Sequence, residues 1–175
     1  MHHASGFSSD SYETLATKAT QYSARLLKKP DQCRAVCKAS FLWRAPSAEG
    51  AEAQPRDPKR VLECLQVRRD RGSHIVSRRG GLMTAGTFSV RQRALKIADA
   101  CKTSANHLPL FVEILDAYVL HYGAGNEAIV PKYISSLMQL IEQQQEGAPP
   151  PHFEAVKKEI ALRRENDERW AEVEV

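Results

Sequence analysis

The sequence predicts an all-α fold of antiparallel helix pairs joined by short corners. Three observations carry that prediction. Apolar residues recur at helical spacing in five or six separate stretches. Gly and Pro are few and fall mostly between those stretches. The stretch Leu26-Leu27-Lys28-Lys29-Pro30-Asp31-Gln32-Cys33-Arg34-Ala35-Val36 packs helix-stop and helix-start signals into one corner. Lys28 and Lys29 suit the negative end of a helix dipole, Pro30 suits a first helical position, and Asp31 suits the first turn that follows.

Met1–Ser9 (residues 1–9) reads as a disordered N-terminus with no apolar core of a secretory signal. Asp10 and Glu13 resemble a capping box. Behind them Tyr12, Leu15, Ala16, Ala19, Tyr22, Leu26 and Leu27 form a stripe, which predicts a first helix to about Lys28. Pro30 to about Arg44 is the second helix, carrying Cys33, Val36, Cys37, Phe41 and Trp43. The loop Ala45–Asp57 has almost no bulky apolar residues. A third helix opens at Pro58 with Val61, Leu62, Cys64 and Leu65, and the pattern breaks at Val67.

Val67–Gln92 (residues 67–92) is rich in Arg, Gly and Ser and holds no sustained period. Helical spacing resumes with Ala94, Leu95, Ile97, Ala98 and Cys101. Joining Gln66 to Arg93 places Val61, Leu65, Ala94, Ala98 and Cys101 at steps of four, three, four and three, one unbroken stripe. The segment therefore reads as a disordered insertion in a helix that the flanking sequence makes continuous. Val codons begin with GT and Gln can be encoded by CAG, so a retained intron is one explanation and a true loop the other.

The next helix carries Leu110, Phe111, Ile114, Leu115, Tyr118, Val119 and Tyr122, and stops at Gly123-Ala124-Gly125. Asn126 is expected to cap another, with Tyr133, Ile134, Leu137, Met138 and Ile141. Gly147 to Pro151 is a connector. A last helix from about His152 to Arg169 shows Phe153, Val156 and Ile160 before turning charged, and 170–175 reads as a frayed tail. The helical unit thus spans 10–169.

The chain of 175 residues carries a formal charge of +4, and Val67–Gln92 alone holds six Arg against one Asp, or +5. The remainder is −1, so the basic balance is local. A basic helical nucleic-acid-binding module using this Arg-rich segment is the alternative function, weakened by the absence of interleaved aromatics beyond Phe88. No apolar run approaches the roughly 20 residues of a bilayer span. The four cysteines, Cys33, Cys37, Cys64 and Cys101, read as small buried hydrophobes. No phosphate loop, nucleophile elbow or metal-ligand spacing is present, and the six histidines are scattered. The expectation is a protein that is not an enzyme and takes no metal or cofactor.

The corner from Leu26 to Val36, then Phe41-Leu42-Trp43 and Lys59 to Leu65, resemble the C-terminal part of the large retromer subunit family, vacuolar protein sorting protein thirty-five. The likeness resumes at Ala94 to Cys101, runs through Leu110 to Leu115 and Tyr118, and reaches Leu162-Arg163-Arg164-Glu165. The resemblance implies a HEAT-like α-solenoid, a non-enzymatic scaffold of the endosomal cargo-sorting coat in retrograde endosome-to-Golgi transport. It implies a cytoplasmic location, peripheral on endosomal membranes, without direct membrane insertion or nucleic acid. The implied partners are the phosphoesterase-like retromer subunit (vacuolar protein sorting protein twenty-nine), a second large subunit, and the rest of the coat. A solenoid that wraps a compact domain presents an edge of successive helices to it, which makes the polar positions Glu113, Asp116, Lys132 and Gln139 candidates for partner binding. Arg25, Lys28 and Lys29 fall at i, i+3 and i+4 of the expected first helix and so share a flank. That spacing fits a solvated helix end, and the resemblance adds a role in self-association.

Overall fold

A computed structural model describes residues 8–44, 57–65, 94–101, 107–145 and 147–174. Most of the expected disordered N-terminus (residues 1–7), most of the loop at 45–57 and the insertion 67–92 lie outside these residues, while Ser8 and Ser9, expected to be disordered, cap and open the first helix. Among the described residues the secondary structure is entirely helical, with no strand. The α-helices are α1 (Ser9–Ser23), α2 (Lys29–Ala39), α3 (Pro58–Leu65), α4 (Ala94–Asp99), α5 (His107–Gly123), α6 (Pro131–Gln144) and α7 (Pro151–Asn166). Short 3-10 turns cover Ser40–Trp43 and Glu168–Trp170.

The central helix is α5, which packs on α2, α4, α6 and α7. Its Leu110, Phe111, Ile114, Leu115 and Tyr118 are all buried, as its wide apolar face predicts. Helix α2 joins α1, α3 and α4 to it. Val61, Leu65, Ala94, Ala98 and Cys101 are buried without exception, so the stripe that spans the Arg-rich segment in sequence lines the core from both sides. All four cysteines are buried, and none is in a disulfide. Burial, reinforced by neighbouring Cys101, pushes the Cys33 thiol up to about 12, so it stays protonated and packs as an apolar group.

Helix ends depart from the sequence reading in ways that follow from hydrogen bonds. Ser8 caps α1, its Oγ accepting from Ser11 N at 3.3 Å, and Asp10 sits inside the first turn. Asn126 does not cap α6; its Oδ1 accepts from Ala128 N in a turn, and α6 begins at Pro131. The C-terminus of α5 is a Schellman motif: Asn126 N donates to His121 O and Gly125 N to Tyr122 O, with Gly125 at a φ of 83°. That left-handed backbone is where a glycine is required.

Two expectations are overturned. Helix α1 ends at Ser23, five residues before Lys28. Continuing it would need the Ala24 carbonyl to accept from Lys28 N, but the buried Gln32 side chain donates its Nε2 to that carbonyl. Leu26 and Leu27 therefore leave the helix and stand 44% and 96% exposed, and Leu15, also expected in the core, is 50% exposed. The stretch 170–175 is not a frayed tail either. Trp170 and Val173 are 1% and 0% exposed and belong to the core.

Candidate functional site

Arg25, Lys28 and Lys29 are all exposed, but not on one helix flank as their spacing predicted. Arg25 lies in the turn after α1, Lys28 is the N-cap residue of α2, and Lys29 opens that helix. The three cations are spread along the corner, and the exposed Leu27 lies between Arg25 and Lys28 in the chain. Lys29 Nζ donates to Gln32 Oε1 at 3.1 Å, and the same amide holds Ala24 O through its nitrogen. One buried glutamine thus fixes both the end of α1 and one of the corner cations.

The four expected partner-binding residues divide into two pairs. Glu113 and Asp116 lie three apart on α5, on the flank that faces α2. Glu113 is engaged within the chain: Arg34 Nε of α2 donates to both its carboxylate oxygens, at 2.9 and 3.1 Å. Lys132 and Gln139 are exposed and seven apart on α6, which puts them on one outward face. No ion pair joins the two pairs among the described residues. The arrangement offers non-covalent contact, with no group of three or more metal-ligating side chains among the described residues.

His121 of α5 is buried, stacks on Phe41 with ring centroids 4.4 Å apart, and lies 2.8 Å from Ser40 Oγ through Nε2. Ser40 Oγ donates its own proton to Cys37 O at 2.6 Å, so His121 Nε2 carries the proton in the other bond. Burial, with Arg44 nearby, lowers its pKa to about 4. His121 is a neutral packing residue that ties α5 to the end of α2.

Sequence reasoning missed one surface altogether. Beyond α7 the chain turns back onto the end of α5, where Trp170 meets Tyr122 edge-on at 4.7 Å between centroids. The available signal was spacing, since Trp170 and Val173 are two bulky apolar residues three apart in a charged stretch.

A family model described as Vacuolar protein sorting-associated protein 35 matches residues 1–76 and 87–144, well over half of the chain. The chain belongs to the vacuolar protein sorting-associated protein 35 family. Vacuolar protein sorting-associated protein 35 of Schizosaccharomyces pombe is 42% identical over 138 residues, which are 78% of this chain and 13% of that protein. The 35B protein of Arabidopsis thaliana is 37% identical over 141 residues, 81% of this chain and 15% of that protein. The 35A protein of the same plant is 31% identical over 149 residues, 85% and 16% respectively. The chain therefore spans about one seventh of the length of these family members. The corner cations and all four α5 and α6 candidates lie inside the stretches matched to the family, whereas α7 and the segment after it lie beyond them. The break between the two matched stretches falls within Val67–Gln92.

Proposed function

We propose that this chain is a non-enzymatic scaffold segment of the retromer endosomal cargo-sorting coat, acting in retrograde endosome-to-Golgi transport. Family membership over most of the chain carries the reading. The all-helical stack supports it, because an array of packed helices offers extended surfaces rather than a reaction centre. In this reading the chain is cytoplasmic and held peripherally at endosomal membranes through the assembled coat; no described helix is long and apolar enough to cross a membrane.

The α5 and α6 edge holds the phosphoesterase-like subunit, and Asp116, Lys132 and Gln139 contact it. Glu113 contributes less directly, since its carboxylate is already paired with Arg34. The test is calorimetric titration of that subunit into charge-reversed chains. Lys132→Glu and Asp116→Lys are expected to weaken binding at least tenfold with the melting temperature unchanged. Undiminished affinity in both places the contact elsewhere.

The corner cations pair the chain with an acidic patch on a second large subunit. Exposure of all three, with Leu27 projecting among them, supports a contact that combines charge with one apolar anchor. Pairing of this kind weakens as salt rises. Replacing Arg25 and Lys28 by Glu is expected to abolish pairing of the full-length subunit while its helicity and its grip on the phosphoesterase-like subunit persist. Pairing that survives in the double variant at low salt reduces the corner to a solvated turn.

A further inference from the structure

The segment after α7 is built like a bound peptide. Helix α7 ends at Asn166, and Asp167 is extended at φ −145° and ψ 116°. From there only two side chains enter the fold, Trp170 and Val173, while Arg169, Ala171, Glu172 and Glu174 stay exposed. An aromatic anchor, two outward residues and an aliphatic anchor make a short linear pattern.

The receiving cleft is formed by three helices. Tyr122 of α5 meets the Trp170 ring in a T-shaped contact, and Arg163 of α7 covers the indole at 5.1 Å. Arg163 is itself held by Glu159, with Nε 2.6 Å from Oε1. Gly123 leaves the room: a Cβ there would lie 2.0 Å from Arg163 Nη1 and 3.5 Å from Trp170 Cζ2. Arg169 stacks over Tyr122 at 5.0 Å and donates from Nη2 to the Tyr122 carbonyl at 3.1 Å, while the Tyr122 hydroxyl donates back to Arg169 O at 2.5 Å. On α6, Ser135 Oγ accepts from Glu174 N at 2.9 Å. These contacts fasten backbone and two anchors, the way a groove holds a peptide.

We propose that this cleft is a peptide-docking site and that Asp167–Glu174 is its releasable internal plug. The ligand it takes in trans is a short peptide with an aromatic residue and, three positions later, an aliphatic one. Two anchors on one short segment, the 3-10 turn Glu168–Trp170 and the turn that follows it, form a unit that opens without disturbing α5, because local units open below the cost of global unfolding. Release exposes Tyr122, Ser135 and Arg163 together.

Amide hydrogen exchange on the intact chain tests releasability directly. The amides of Trp170, Val173 and Glu174 are expected to exchange at least ~100-fold faster than those of Ile114 and Tyr118. Exchange at the same rate as α5 makes the segment part of the fixed core and overturns the proposal. A second arm tests recognition by fluorescence anisotropy with a labelled synthetic peptide of sequence Asp167–Val175. It is expected to bind the Trp170→Ala chain at least tenfold more tightly than the intact chain, whose own plug competes. The peptide carrying Trp170→Ala is expected not to bind. Equal affinity for both chains, or no binding to a Trp170→Ala chain that still melts cooperatively, overturns the proposal. If that variant loses its fold, exchange on the intact chain decides alone.

Discussion

Leu27 is 96% exposed and Leu65 has no exposed surface, although both sit in apolar stripes of the sequence. Leu65→Ala is expected to lower unfolding free energy by roughly 2–5 kcal/mol, because it leaves a cavity. Leu27→Ser is expected to stay within about 0.5 kcal/mol of the parent. Urea denaturation followed by circular dichroism separates the two. His121 gives a pH signature. An unfolded histidine titrates near 6.5, and burial holds folded His121 at about 4. Between those values the unfolded chain binds a proton that the folded chain refuses, so the contribution is complete above about 6.5 and is lost as pH falls toward 4. The melting temperature is expected to fall over that interval more steeply in the parent than in His121→Gln, whose amide can still donate to Ser40. Parallel pH profiles in the two chains would show that His121 does not set the slope.

The interiors of the helices were legible because each buries its own periodic face. Leu110, Phe111, Ile114 and Leu115 announce α5, and Ile134, Leu137 and Ile141 announce α6. The helix ends were not legible, because the groups that fix them are distant side chains. Gln32 reaches back eight positions to the Ala24 carbonyl, and Arg169 reaches back 47 positions to Tyr122. A stripe drawn through Leu26 and Leu27 ignores the first of these, and a frayed tail ignores the second. Of the candidate site, the corner's cations and their exposure could be read, but not their dispersal over a turn. The Arg34–Glu113 pair could not be read at all, since nothing in the sequence sets α2 beside α5 in that register. Gln32→Ala is expected to cost about 1–3 kcal/mol by stranding the Ala24 carbonyl, measured by thermal melting. Breaking the half-exposed Arg34–Glu113 pair by Glu113→Gln is expected to cost no more than about 1 kcal/mol. A cost as small for Gln32→Ala as for Glu113→Gln would mean that the corner is held by something else.

At the scale of the whole molecule, the scaffold reading places function in the packed helices and the alternative places it in the Arg-rich segment. The two separate because the charge is so unevenly distributed, +5 in Val67–Gln92 and −1 elsewhere. The residues flanking that segment, from Val61 to Leu65 and from Ala94 to Cys101, supply one buried stripe without it. Joining Gln66 to Arg93 keeps that stripe in phase. Genomic DNA and transcripts bear on the same junction: splice signals at Val67 and Gln92, with spliced transcripts lacking the segment, identify a retained intron, and their absence identifies a loop. The most direct measurement is binding of the phosphoesterase-like subunit to the chain with and without Val67–Gln92, titrated side by side with a nucleic-acid control. The account predicts equal affinity for the subunit in both chains, a melting temperature no lower after deletion, and loss of any nucleic-acid binding. Loss of subunit binding on deletion, in a chain that still melts cooperatively, would contradict it.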